Sequence, residues 1–278
     1  LRNFSAFKRD VYYLFYMKGI ILAGGKGSRL FPLTHSISKQ LLPIYNKPMI
    51  YYPLSVLLQA NIRDILIISS PQSLIYFQQL LGDGSLFGIS LSYAEQKSPK
   101  GIAEAFLIGK SFIGKDSVTL VLGDNFFHGR QFQRLLDQCQ SFRNGGMIFG
   151  YKVKDPKRYG VLAFNDQNKI KGIIEKPSLA PSSYAVIGLY CFDNHVLEIA
   201  KRLQPSKRGE LEITDINRMY LELGKLHVHL HDKGFVWIDS GTFNSLHEAS
   251  SYVKMIEQRE GIMVGCLEEI AFKKGWID

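Results

Sequence analysis

At 278 residues, 46% of them hydrophobic, the chain is long enough for one large domain with an ample core, and no apolar run approaches the ~20 residues of a membrane span, so no membrane partner is expected. Its net charge of +9 comes from scattered Lys and Arg rather than blocks, and no nucleic-acid module accompanies them; the balance suits an anionic small substrate rather than nucleic acid. Cys139, Cys191 and Cys266 are odd in number, far apart and free of any Cys-x-x-Cys pair, which argues against a disulfide framework or zinc knuckle and points to a reduced, cytoplasmic setting.

Leu1 to Tyr16 hold six aromatic residues and read as an extension, 1–16, outside the fold. The apolar stretch Val11–Tyr16 is too short for a secretory leader, and Met17 is the expected start of the domain. Gly19 to Ala23 reads as a buried strand, followed directly by Gly24, Gly25 and Gly27. Apolar runs at Asp64–Ser70, Ile89–Ala94 and Val118–Gly123 each follow a helical pattern: Pro48–Ala60, Ser73–Leu81 and Gly101–Ile113. Strand and helix alternate over short links, which predicts a parallel sheet covered on both faces, with ligands bound outside the carboxyl ends of its strands. Both the glycine turn and Asp124 fall at such ends.

After Met147–Val153 the pattern changes. Val161–Phe164 and Ile170–Glu175, joined by Asn165-Asp-Gln-Asn168, predict a hairpin. Helices His195–Leu203 and Glu212–Leu223 follow, then strands near Leu226–His231 and Phe235–Ile238, and Thr242 caps a long helix running to about Glu260. Without repeat or low-complexity linker, residues 17–278 read as a single domain, with a half over 17–146 and another over 147–278 whose motifs line one cleft. The fold class is α/β, a Rossmann-like, mostly parallel or mixed central sheet flanked by helices, with an inserted β-hairpin.

The glycine turn carries the chemistry. Glycine lets backbone N–H groups approach a ligand without a Cβ clash, so such a turn can wrap phosphate oxygens. Arg29 adds a planar fork of donors and Lys39 a point-like charge. It is not a P-loop, since Lys26 is followed by Gly27, nor a dinucleotide fingerprint, since Leu30 fills the third glycine slot. Asp124 and Asp239 each end a strand, where a carboxylate serves equally as a turn cap or as a magnesium ligand. The triplet His227, His229 and His231 shares one strand face, but no Cys or carboxylate at ligand spacing accompanies it, so no metal is expected there. The charged segment Arg208–Asp215 reads as a structural helix entry.

Leu22-Ala-Gly-Gly-x-Gly-x-Arg-Leu-x-Pro-Leu-Thr with Ser38-Lys-Gln-Leu-Leu-Pro resembles the signature of sugar-1-phosphate nucleotidyltransferases. The resemblance continues through Gly123-Asp-Asn125, Arg158-Tyr-Gly160, Glu175-Lys-Pro177, Arg208-Gly-Glu-Leu-Glu-Ile-Thr-Asp215 and Trp237-Ile-Asp-Ser-Gly-Thr242, and covers roughly Met17 to Asp278. It implies transfer from dTTP to glucose 1-phosphate, the first step of dTDP-rhamnose synthesis, with Mg2+ on Asp124 and Asp239. Arg29 and Lys39 are then the catalytic cations, and Leu22, Gly24, Gly25, Gly27, Gln96, Pro99 and Gly101 the nucleotide site. Asn125, Tyr159, Gly160, Glu175, Lys176, Val186 and Trp237 form the sugar-phosphate site on the hairpin and its surroundings. From the residues alone Gln96 is an ordinary strand-end amide, and Val186 and Trp237 could equally be core.

The resemblance also implies a homo-oligomer, in relatives a tetramer. This sequence departs from the family pattern at Ser28 (usually Thr), Glu104 (often Gln) and Lys233 (often Arg), and relatives commonly continue past the position of Asp278; no regulatory site is assigned. Rival readings are the same chemistry with UTP or another sugar phosphate, and a nucleotide-sugar sensor without turnover, against which the intact Arg29, Lys39, Asp124 and Asp239 speak.

Overall fold

The computed structural model describes residues 17–278, so the expected extension lies outside the described residues. Its first half runs β1 (Met17–Leu22), a small ladder of β2 (Pro43–Ile44) and β3 (Lys47–Pro48), α1 (Tyr51–Gln59), β4 (Asp64–Ser69), α2 (Pro71–Leu81), β5 (Ser90–Glu95), α3 (Glu104–Ile108), α4 (Lys110–Ile113) and β6 (Ser117–Leu122). Strands β5, β4, β1 and β6 lie side by side and parallel. Alternate side chains feed two cores. Ile20, Leu66, Ile68 and Leu120 face Phe106 and helices further along the chain, while Ile21, Ile65, Ile67 and Val121 face Leu54 and Leu57 of α1. With both faces covered, β1, β4 and β6 are near-continuous apolar runs, whereas the edge strand β5 alternates.

The second half runs β7 (Asn125–His128), α5 (Arg130–Ser141), β8 (Gly146–Lys152), β9 (Gly160–Phe164), β10 (Ile170–Glu175), β11 (Tyr184–Phe192), α6 (Val196–Arg202), α7 (Ile213–Glu222), β12 (Leu226–His231), β13 (Val236–Asp239), α8 (Phe243–Glu260) and α9 (Leu267–Lys273). The sheet has nine strands: β11 joins β6 antiparallel and carries β9 and β10 on one side and β8, then β12, on the other. It therefore passes without interruption through both halves and is mixed. A separate ladder pairs β7 with β13.

Several expectations are corrected here. The continuous helix over 101–113 is absent: Ala103 N bonds Leu211 O at 3.1 Å and Leu211 N bonds Lys100 O at 2.6 Å, which draws 100–103 into a backbone pairing, and the helix that follows is interrupted at Gly109. The helix expected from Pro48 begins at Tyr51, because Pro48 closes the β2–β3 ladder. β11, α5, β7 and α9 had no counterpart in the sequence reading. The histidines of β12 lie against aromatic rings, His229 at 5.7 Å from Phe149 and His227 at 5.6 Å from Phe142, and burial followed by neighbouring imidazole charge lowers the pKa of His229 and His231.

α8 starts where Thr242 predicts. Its hydroxyl accepts from Ser245 N at 3.3 Å while Ser245 Oγ accepts from Thr242 N at 3.1 Å, a reciprocal capping box. Thr242→Ala is expected to destabilise the fold by about 1 kcal/mol, read as a fall in thermal midpoint of ~2–4 °C for a chain of this size class.

Candidate active site

β1 hands the chain to the glycine turn, where Ala23 N bonds Ile68 O at 2.8 Å. Gly25 and Gly27 adopt φ of 97° and 60°, the left-handed region that side chains disfavour. Gly24 is required for a different reason: a Cβ there would lie 2.3 Å from Gln96 Oε1, so the amide of Gln96 lies directly over the turn. At Gly101, φ is 108° and a Cβ would meet Leu211 O at 2.3 Å, so packing accounts for that glycine.

The two aspartates are brought together by the β7–β13 ladder. Asp239 pairs in register with Asn125, and Ser240 N bonds Asp124 O at 2.9 Å, which sets the ends of β6 and β13 beside each other. Lys39 forms an ion pair with Asp124. Burial opposes ionisation of Asp124, but the Lys39 charge, with hydrogen bonds from Lys39 and Asn125, outweighs it and lowers the carboxyl pKa. Asp239 shifts the other way: burial and the Asp124 charge raise it, against the pull of Arg29, Lys39 and Arg158. Arg158 reaches Asp239 at 3.6 Å, and Arg29 lies close enough that a Cβ on Gly241 would sit 2.7 Å from its Nη2 and 2.9 Å from Asp239 Oδ1.

In front of the aspartates opens a cavity of about 760 Å³ whose walls include Arg29, Asp124, Asn125, Tyr159, Gly160, Glu175, Lys176, Val186, Trp237 and Asp239. Trp237 and Val186, 9% and 6% exposed, serve both the core and this wall. Trp237 Nε1 donates to Asn125 Oδ1 at 2.7 Å, and Gly188 N donates to the same oxygen at 3.1 Å. That leaves the Asn125 amide fixed, its nitrogen donating to Asp124 at 3.0 Å. Tyr159 lies at 5.0 Å from the Trp237 ring. Glu175 sits opposite Gly160 in the hairpin register and accepts from Thr214 Oγ1 at 2.5 Å.

The remaining predicted residues lie elsewhere. Gly25 and Lys39 line a second, smaller cleft of about 260 Å³, together with Lys26 and Ser38. Leu22, Gly24, Gly27, Gln96, Pro99 and Gly101 line neither space, although Gln96 is 4% exposed and adjoins the turn. The sequence reading missed a whole wall. Arg208 does hold Glu212 at 3.0 Å and Glu210 at 2.5 Å, the structural role expected, yet Glu210, Ile213, Thr214 and Asn217 line the cavity, as does Tyr190. Thr214 and Asn217, three residues apart, put polar groups on the buried face of α7, 2% and 1% exposed; that spacing among Ile213, Ile216 and Tyr220 was the available signal.

A phosphate-sized turn on a parallel sheet, beside two carboxylates that face a sugar-sized space, suits transfer between two phosphorylated small molecules and marks an α/β transferase. The chain belongs to the nucleotidyl transferase family, whose profile matches residues 18–255. It is 56% identical over 261 residues to the glucose-1-phosphate thymidylyltransferase of Neisseria meningitidis, covering 94% of this chain and 91% of that one. To the enzyme of the same name from Mycobacterium tuberculosis it is 51% identical over 262 residues, with 94% and 91% covered. A crystal structure of a Bacillus anthracis protein described as a glucose-1-phosphate thymidylyltransferase, in complex with a sucrose, superposes with a TM-score of 0.78 at 42% identity, covering 85% of this chain and 94% of that one. A UDP-glucose pyrophosphorylase with UDP-glucose bound, at 24% identity and a TM-score of 0.74 over 86% of this chain and 99% of that one, shares the fold.

Proposed function

We propose that the protein catalyses attack of glucose 1-phosphate on the α-phosphorus of dTTP, giving dTDP-glucose and pyrophosphate, the first step of dTDP-rhamnose synthesis. The relationship to enzymes of that activity across 94% of the chain carries this reading. The nucleophile is a phosphate oxygen, anionic already, so no general base is needed and the protein's task is positioning and charge stabilisation. Arg29 donates to the triphosphate as charge shifts toward the leaving pyrophosphate, and Lys39 holds the reacting phosphates once it exchanges Asp124 for them. Gln96, with the backbone of Leu22, the glycine turn, Pro99 and Gly101, takes the nucleotide. Asn125, Tyr159, Gly160, Glu175, Lys176, Val186 and Trp237 hold the sugar phosphate.

Asp124 and Asp239 fit a divalent ion shared with phosphate. Their oxygens are hard donors, the Asp124 charge acts on Asp239, and among the described residues no third His, Cys, Asp or Glu completes a protein-only metal site. That partial donor set matches Mg2+, which takes few protein oxygens and keeps its waters; when bound it would neutralise charge developing on pyrophosphate. A cytoplasmic homotetramer with no membrane or nucleic-acid partner completes the proposal; among the described residues no helix is long and apolar enough to cross a membrane.

Pyrophosphate release across nucleotides and sugar phosphates tests the reading. Release with dTTP and glucose 1-phosphate is expected to be fastest, slower with UTP, absent without the sugar phosphate, lost on chelation and restored by Mg2+. Nucleotide-sugar binding with no release under Mg2+ would favour the sensor instead.

A further inference from the structure

We propose that Glu104 sets the base selectivity of this enzyme by locking the Gln96 carboxamide in one of its two orientations. This rests on the reading above that Gln96 faces the base. Gln96 is nearly buried, 4% exposed, and anchored at the end of β5 by its backbone N, which bonds Ser69 O at 2.7 Å. Its Nε2 donates to Glu104 Oε2 at 2.8 Å, and the same oxygen accepts from Lys100 N at 3.3 Å, which holds the carboxylate in place at the start of α3. Its Oε1 is turned the other way, over Gly24.

The two ends of a carboxamide are alike in shape, and their partners decide which end points where. An ionised carboxylate only accepts hydrogen bonds. Reversing Gln96 would set its oxygen against the Glu104 oxygen at the distance the N–H···O bond now spans, two acceptors face to face and one of them charged. The amide is therefore held with Oε1 presented at the glycine turn and the second Nε2 hydrogen free beside it.

That acceptor–donor pair has a definite complement. Thymine and uracil carry an N3–H donor beside the C4 carbonyl acceptor, so at that edge Oε1 meets N3–H and Nε2–H meets the C4 carbonyl. Cytosine has a bare N3 acceptor next to an amino group, and it needs the reversed amide. Glu104, without touching the nucleotide, is thus the positioning residue that admits imide pyrimidines and excludes cytosine.

Glu104→Leu keeps much of the bulk but accepts nothing from Gln96 or Lys100; Glu104→Ala removes the lock altogether. Specificity constants for dTTP, dUTP and dCTP, from pyrophosphate release, read the effect. In both variants the dTTP:dCTP ratio is expected to fall on the order of tenfold or more, as loss of a charge-assisted hydrogen bond predicts. The dTTP:dUTP ratio and the KM for glucose 1-phosphate should stay unchanged, whereas a merely structural loss would move all nucleotides alike. Gln96→Leu, measured in parallel, should collapse the dTTP:dCTP ratio. If it does and the Glu104 variants keep the wild-type ratio, the lock is overturned and the base reading stands. A Gln96→Leu enzyme with undiminished discrimination would overturn the base reading and the lock with it.

Discussion

Arg29→Ala is expected to lower turnover at least a hundredfold while the protein stays folded. The residue is exposed on a short 3-10 turn, Ser28–Leu30, that is anchored by the fully buried Leu30 rather than by the arginine itself. Its guanidinium reaches into the cavity beside Asp239 and Gly241, where a triphosphate would meet it. Loss of one preorganised donor to developing charge typically removes about 3 kcal/mol of transition-state stabilisation, roughly a hundredfold in rate. The measurement is kcat for pyrophosphate release, with a thermal melt to show that folding is intact. Turnover near wild type would remove Arg29 from the chemistry. Lys39→Ala is the less informative experiment, because it also strips the buried Asp124 of its ion pair and mixes lost catalysis with lost stability.

How much of this was legible depends on the range of the interaction involved. β1, β4 and β6 of the parallel half could be read because burial on both faces gives near-continuous apolar runs, and the end of β12 and the start of α8 could be read because their signals are local. β11 is as apolar as its neighbours, Tyr-Ala-Val-Ile-Gly-Leu-Tyr-Cys-Phe, but it lacks alternation and flanking turns of a familiar type, and its central place depends on antiparallel pairing with β6 far upstream. α5 carried a clear helical spacing in Phe132, Leu135, Leu136 and Cys139 that went unassigned. In the site, the glycine turn and the strand-end aspartates stood out through composition and position. The wall from α7 did not, since the roles of Thr214 and Asn217 are set by which strand faces them: Thr214 finds Glu175 across 39 residues of sequence. Trp237 likewise finds Asn125 across 112 residues, and that contact turns an apparent core indole into part of the cavity.

The two aspartates should respond in opposite ways to the same substitution, which separates a metal-binding role from a structural one. Asp239→Asn is expected to reduce turnover on the order of a thousandfold, since it withdraws one of two charged ligands from an ion that contributes several kcal/mol to phosphate charge stabilisation. Yet it should leave the thermal midpoint unchanged or raise it. Burial and the Asp124 charge place the folded pKa of Asp239 above its unfolded value, so this carboxyl favours folding at low pH and opposes it once pH rises through the folded pKa. The amide is free of that penalty and can still accept from Gly241 N, now at 3.1 Å from the carboxylate. Asp124→Asn should lose activity to a similar degree but lower the midpoint, because its charge is what compensates Lys39, 13% exposed at the side chain. Residual activity of Asp239→Asn near wild type would show that this carboxylate holds no metal in turnover. A matched fall in both midpoints would show instead that Asp239 is held in place by Arg29 and Arg158 strongly enough to stabilise the fold, and that its conflict with Asp124 is already resolved without the ion.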